Sequence, residues 1–149
     1  MRRCLIVANQ TLGGAQLLEA VQERIATESH QFYVVVPATP LKDQESVPGR
    51  VADPGPSPQD RAYALARQRL DRAIEEIREL GAGADGEVGD ADPFEAARLA
   101  AGRFPADEVI VSTLPLGLSR WLRGNLPARI ERALDLPVVR IVADAEAGP

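Results

Sequence analysis

Short apolar runs of strand length alternate along this chain with segments whose apolar residues recur at helical spacing. Cys4–Ala8 is a continuous apolar run, Ala15–Thr27 has a helical pattern, and Phe32–Val36 is a second apolar run that ends at Pro37. Continuous apolar runs, unlike alternating ones, are typical of strands that are covered on both faces of a parallel sheet. The first third of the chain therefore predicts a β-α-β unit with parallel strands.

The rest of the sequence repeats this pattern. A helix is expected from the start signal Ser57-Pro58-Gln59-Asp60 to about Leu80, where Gly81 ends it, and a short strand follows around Glu87-Val88. Asp92-Pro93 opens the next helix, which precedes a strand at Val109–Val111. The last two elements are a helix from Asn125 to about Leu134 and a strand at Pro137–Val142. Serine or aspartate before proline is a typical helix start. The order βαβαβαβαβ predicts an α/β fold: a five-stranded, parallel, doubly wound sheet with helices on both faces.

Length and composition indicate one globular domain spanning residues 1–149. The chain has 149 residues, of which 45% are hydrophobic and 26% charged. One segment, at about 38–57, contains four prolines and two glycines and predicts a mobile loop.

Charge and cysteine content exclude several kinds of partner. The net charge of -5 and the pI of about 4.9 argue against nucleic acid, which usually requires a basic surface. No apolar run approaches the ~20 residues of a membrane span. Met1-Arg2-Arg3 leads directly into the first apolar run, so a signal peptide is not expected. Because Cys4 is the single cysteine and cannot form an internal disulfide, a cytoplasmic location is expected.

The sequence offers little support for catalytic chemistry. His30 is the single histidine, so neither a zinc site nor a Ser-His-Asp triad is expected. An enzyme therefore ranks below a binding protein.

The predicted topology places three segments on one edge of the sheet. Ligands of doubly wound sheets bind beyond the carboxyl ends of the strands, where the strand order reverses. Asn9–Thr11, Pro37 and Ser112–Asn125 are expected on that rim. Neither a GxGxxG nor a GxxxxGK[ST] motif is present, because Thr11-Leu12-Gly13-Gly14 has the wrong spacing.

The last third of the chain carries a family resemblance. The spacing Gly117-Leu118-x-Arg120-x-Leu122-x-Gly124, followed by a helix and Leu136-Pro137-Val138-Val139, resembles the C-terminal half of universal stress proteins. Asn9–Gly14 and Gly86–Pro93 are similar to a divergent actinobacterial branch of that superfamily. The resemblance implies a Rossmann-like fold of the adenine nucleotide alpha-hydrolase-like type, a homodimer formed through the last strand, and a stress-response role with ATP as the ligand of many members.

The glycine loop departs from the pattern of the ATP-binding members, which carry G-x2-G-x9-G-[ST] after the fourth strand. Aligned on Gly124, Val111 and Leu114 stand at the two earlier glycine positions, and Asn125 stands at the Ser/Thr position. Val and Leu add a Cβ where the backbone would approach a phosphate, and Pro115 lacks an N–H donor. Asn125 can cap the helix and donate to an anion.

Arginines in the same region can compensate with charge for the lost amide donors. Arg120, Arg123 and Arg129 could each bind phosphate in a bidentate fork, or they could solvate an exposed face. The resulting candidates for a nucleotide or anion site are Ala8, Asn9, Gln10, Thr11, Val36, Pro37, Ser112, Gly117, Arg120, Arg123, Gly124, Asn125 and Leu126.

Two functions follow from the resemblance and the departures. The first is a regulatory protein that binds a nucleotide or another small anion at the degenerate glycine loop. The second is a dimeric protein-interaction module that has kept the fold and lost the ligand. No cofactor is required by the sequence, and ATP or another adenine nucleotide is the candidate. Leu136–Val142 is apolar enough to pair, as an edge strand, with a second copy of the chain. Arg140 could equally prevent that pairing.

Overall fold

The computed structural model describes residues 1–8, 15–38, 58–113 and 124–142. Within these ranges the helices and strands follow the predicted order. They are β1 (Arg2–Ala8), α1 (Ala15–Thr27), β2 (His30–Pro37), α2 (Pro58–Glu79), β3 (Gly83–Gly89), α3 (Pro93–Arg103), β4 (Glu108–Thr113), α4 (Leu126–Leu134) and β5 (Val138–Val142).

The five strands form one sheet with the order β3-β2-β1-β4-β5, and all neighbouring pairs are parallel. The predicted parallel, doubly wound α/β sheet is therefore confirmed. The chain builds the sheet in one direction from β1 to β3 and then in the other direction through β4 and β5. The strand order reverses between β1 and β4, so the crevice expected for a ligand lies between these two strands.

Two apolar layers cover the two faces of the sheet. On one face, Leu17 of α1 and Leu70 of α2 pack in a cluster that includes Ile6 and Phe32. On the other face, Ala97 of α3 and Ile130 of α4 pack with partners that include Leu5 and Val109. The predicted apolar run Cys4–Ala8 is fully buried between the two layers.

Helix ends follow local capping chemistry. The Asp92 carboxylate accepts a hydrogen bond from the Phe94 N–H at 2.9 Å, and the Asp90 carboxylate accepts one from the Asp92 N–H at 2.9 Å. The predicted helix start at Asp92 is thus confirmed, and Asp90 stabilises the turn before it. Gly81, with a φ of 101°, lies just past α2 and adopts a conformation that favours glycine. Ser57, the predicted cap of α2, lies outside the described residues.

β3 is longer than the sequence predicts. The strand was expected around Glu87-Val88, but it pairs with β2 from Gly83 to Gly89. Its glycine, alanine and aspartate residues have low strand propensity, and the ladder to β2 supplies the order that the composition lacks. Apart from Ala38, the predicted proline-rich loop lies outside the described residues. No helix in the described ranges is both long and apolar enough to cross a membrane.

Candidate functional site

The carboxyl ends of the strands bring several predicted site residues to one rim. Ala8 ends β1 and pairs with Ser112 of β4, directly at the reversal of strand order. Val36 and Pro37 end β2, one strand away from the crevice. All four residues are buried at the strand ends, beneath the rim. Six other candidates lie outside the described residues: Asn9, Gln10, Thr11, Gly117, Arg120 and Arg123.

The remaining candidates lie where α4 begins. Gly124 and Asn125 are exposed, and Leu126 is buried in the core beneath them. Asn125 occupies the cap position of α4, but its side chain makes no capping hydrogen bond. Its backbone is left-handed, with φ 57° and ψ 39°, whereas a capping side chain needs an extended backbone to reach the first turn. The expectation that the Asn125 side chain caps the helix is therefore wrong in this structure.

The first turn of α4 keeps backbone donors that no Asn125 side-chain bond satisfies. The first bond within the helix runs from the Arg129 N–H to the Asn125 carbonyl at 3.1 Å. Leu126 and Ala128 precede Arg129 in this turn and carry N–H groups, while Pro127 between them has none. These two donors point out of the helix at its start, where an anion is favoured.

The helices that flank the crevice differ in charge from the others. In a parallel sheet, α1 and α4 begin at the carboxyl ends of β1 and β4, on either side of the crevice. Neither α1 nor α4 has an acidic residue in its first turn. In contrast, α2 has Asp60 and α3 has Glu95 in the first turn, and Asp92 caps α3. The positive ends of α1 and α4 are thus uncompensated by first-turn carboxylates, and both lie at the crevice.

A polar group at the start of α1 also lies at the carboxyl rim of the sheet. The amide oxygen Oε1 of Gln16, the second residue of α1, is buried and has no hydrogen-bond partner in the described part of the chain. A buried acceptor without a donor costs free energy, so it is a suitable partner for a ligand hydroxyl or amino group. Gln16 was not among the predicted site residues, although its place two residues after the pair Gly13-Gly14 could have indicated it.

Two predicted features of the glycine loop have other roles in the structure. Val111, at a motif glycine position, lies inside β4 with its side chain in the core beside α3 and α4. The side chain at this motif position is therefore part of the core, with none of its surface exposed. Arg129, predicted either to bind phosphate or to solvate an exposed face, lies with its guanidinium 4.6 Å from the centre of the Phe94 ring. This contact joins α4 to α3.

Two ionisable groups in the described residues are held neutral by their surroundings. Burial raises the pKa of the Cys4 thiol to about 12. Burial, with a hydrogen bond from the Tyr33 hydroxyl to Glu87 Oε1 at 2.8 Å, raises the pKa of Tyr33 to about 12. Arg103 also donates to Glu87, and Phe104 stacks on Tyr33 at 5.1 Å, so this cluster attaches the end of α3 to the sheet. Cys4 and Tyr33 are therefore structural groups.

This strand order, with all neighbouring strands parallel, defines a doubly wound α/β protein. More particularly, the chain has the universal stress protein fold. It superposes on such a protein from Arabidopsis thaliana with AMP bound at a TM-score of 0.60 and 17% identity, covering 100% of this chain and 96% of the other.

Two further universal stress proteins show the same fold. One, from Archaeoglobus fulgidus in complex with dAMP, has a TM-score of 0.57 and 16% identity and covers 95% and 99% of the two chains. Another, in complex with cAMP, has a TM-score of 0.58 and 17% identity and covers 96% and 98%. The sequence matches no family model and no curated protein sequence.

Proposed function

We propose that this protein is a universal-stress-type regulatory protein that binds an adenine nucleotide or another small anion between β1 and β4. The observation that carries the proposal is the charge of the helix starts: α1 and α4, which flank the crevice, have no first-turn carboxylate, while α2 and α3 do. A helix start attracts an anion by roughly 0.3–1 kcal/mol, and first-turn carboxylates oppose this attraction. A phosphate is therefore favoured at this crevice over the other helix starts.

The apolar floor of the rim supports an adenine ligand. Ala8, Val36 and Pro37 are buried apolar residues at the strand ends, so the packing beneath the polar helix starts is apolar. Three proteins of the same fold are described with AMP, cAMP or dAMP, each of which carries a single phosphate. A monophosphate needs fewer backbone donors than ATP, which suits a loop with Leu114 and Pro115 at or beside a motif glycine position.

The second candidate function is a dimeric protein-interaction module that has lost nucleotide binding. β5 is a terminal strand of the sheet, and Val139 and Val142 on it are 37% and 40% exposed. Apolar residues on an unpaired edge favour pairing with a second copy of the chain. Arg140, which is also exposed on β5, opposes that pairing unless the partner supplies an acidic or polar neighbour. A homodimer through β5 belongs to both proposals.

Thermal unfolding with millimolar AMP, ATP and cAMP tests the first proposal. A nucleotide at a hundredfold excess over its Kd should stabilise the fold by about 2.7 kcal/mol. If no nucleotide shifts the transition and none accompanies the purified protein, the interaction module is the better account. Light scattering tests the homodimer separately, because a monomeric mass would contradict it.

A charge substitution locates the site. Ala128→Glu places a carboxylate in the first turn of α4, where it suits the helix but repels a phosphate. We expect this variant to keep its unliganded stability and lose the nucleotide-dependent shift. Ala64→Glu, on the exposed face of α2, adds the same charge away from the crevice and should bind as the unmodified protein does. Normal binding by Ala128→Glu would show that the phosphate lies elsewhere.

A further inference from the structure

The outer edge of β3 and the flank of α2 form a groove on the side of the molecule opposite β5. We call it the edge groove. Its lining includes Asp71, Glu75, Arg78 and Glu79 of α2 and Asp85 and Gly86 of β3. β3 is the terminal strand, and no other strand in the described ranges pairs with its outer side. Backbone groups on such an edge are available to another extended chain.

A donor from outside the sheet already reaches this strand. Arg78 Nε donates to the backbone carbonyl of Ala84 at 3.0 Å, and Arg78 Nη2 lies 3.2 Å from Asp85 Oδ1. The Arg78–Asp85 pair is exposed, with the two side chains 58% and 70% accessible, so it contributes little stability and can rearrange. The backbone of β3 is thus open to a donor from the groove side.

The charges of the edge groove are unbalanced. Arg67 of α2 also lines the groove and pairs with Asp71 at 3.3 Å. Arg78 pairs with Asp85, so each arginine of the groove has a carboxylate partner. Glu75 and Glu79 are exposed and have no basic partner among the described residues. The groove therefore has an excess of negative charge and complements a basic ligand.

The spacing of these two glutamates matches an extended peptide. Residues four apart on a helix lie on one face, about 6 Å apart along its axis. Alternate side chains of a strand lie on one side, about 6.6–6.8 Å apart. Lysine or arginine at alternate positions of a strand laid along β3 would therefore face Glu75 and Glu79 in turn. A helix presents side chains of one face in a different pattern and could not use the β3 backbone.

We infer that the edge groove binds an extended, basic segment of another protein, which adds to β3 as a sixth strand with alternate Lys or Arg residues facing Glu75 and Glu79. Backbone hydrogen bonds to β3 hold the segment, and the two carboxylates select for its charge. This surface lies at the far edge of the sheet from β5 and two strands away from the β1–β4 crevice. It does not depend on whether a nucleotide binds.

A labelled nine-residue peptide of alternating lysine and valine, with blocked ends, is the probe. Fluorescence anisotropy at low salt should show binding to the unmodified protein. A peptide of alternating glutamate and valine should not bind, and one of alternating lysine and proline should bind weakly because half of its N–H donors are removed. Equal binding of the glutamate peptide, or no binding of the lysine–valine peptide, would overturn the inference.

Charge-matched variants test the location. Glu75→Gln with Glu79→Gln should weaken binding roughly tenfold, because two charge interactions are lost. Glu19→Gln with Glu23→Gln removes the same charge from the exposed face of α1 and should leave binding unchanged. An equal loss in both double variants would indicate only general attraction to the acidic protein.

Hydrogen exchange of the β3 amides distinguishes strand addition from other modes. The peptide should slow exchange at outward-facing amides between Gly83 and Gly89 and leave β5 unaffected. Unchanged β3 exchange in the complex would exclude strand addition. If the β3 amides become protected by raising the protein concentration without peptide, a second copy of the chain occupies the edge and the inference is wrong.

Discussion

Arg24 of α1 and Glu108 of β4 are joined by two hydrogen bonds, from Nε to Oε1 at 2.5 Å and from Nη2 to Oε2 at 3.2 Å. The two side chains are only 18% and 14% exposed. The hydrogen bond with Glu108 raises the pKa of Arg24 above its usual value. This pair attaches α1 to the start of β4, across the two halves in which the sheet is built.

Removing one partner of this pair should destabilise the fold. Arg24→Leu leaves the Glu108 carboxylate poorly solvated and should lower the free energy of unfolding by about 2 kcal/mol. Arg72→Leu, which removes an exposed ion pair with Glu76, should change it by less than about 0.5 kcal/mol. Urea unfolding measures both. Arg24→Leu combined with Glu108→Leu should recover part of the loss, and equal effects of the two single variants would contradict this account.

Close packing of β3 against β2 and α2 predicts opposite effects at two glycines. A Cβ at Gly86 would collide with the Val34 carbonyl oxygen and lie 2.6 Å from Leu70 Cδ1, so Gly86→Ala should cost about 2 kcal/mol. A Cβ at Gly102 in α3 meets nothing within 4 Å, so Gly102→Ala should stabilise by about 0.5 kcal/mol. Thermal unfolding of the two variants gives the sign. A neutral Gly86→Ala would show that β3 can move away from its neighbours.

Serine substitutions separate side-chain capping from backbone conformation at two helix starts. Serine caps as well as aspartate, so Asp92→Ser should change the free energy of unfolding by less than about 0.5 kcal/mol. At Asn125 the left-handed backbone favours asparagine over serine, and Asn125→Ser should cost about 1 kcal/mol. Chemical denaturation measures both values. If Asn125→Ser is neutral, the residue functions as an ordinary cap after all.

Cys4 should make the fold less stable in alkali and remain unreactive below that range. The folded thiol has a pKa of about 12 against 9.0 for an unperturbed group, because burial disfavours the thiolate. Above pH 9 the unfolded chain loses this proton while the folded chain keeps it, so stability declines as the pH rises from 9 towards 12. Cys4→Ala should flatten that decline. In the native protein at pH 8, iodoacetamide should label Cys4 only as fast as the chain unfolds, and rapid labelling would contradict its burial.

Local patterns in the sequence predict most of this fold. The buried strands β1, β2 and β4 can be predicted because continuous apolar residues need cover on both faces. The start of α3 can be predicted because Asp92-Pro93 suits a helix start both in capping and in backbone angle. β3 can be predicted only in part, since Gly83–Gly86 has no strand preference of its own. Its length depends on pairing with β2, which is a tertiary effect.

The candidate site is less predictable than the fold. Sequence spacing identifies the loop before α4, but it does not show that Val111, at a motif glycine position, has its side chain in the core. It also assigns a capping role to Asn125 that depends on a backbone angle the sequence does not specify. The acid-free first turns of α1 and α4 were visible in the sequence. Their significance required knowing that both helices start at the same crevice.

The strand order has a consequence for assembly. Because β3 and β5 lie at opposite margins, two copies joined through β5 would form one ten-stranded sheet with a β3 edge at each end. Such a dimer would be bivalent, carrying two identical acidic edge grooves at the greatest separation that the sheet allows. A partner with two basic segments on a linker of matching length could bind both at once, and its avidity would then exceed the affinity of either segment alone.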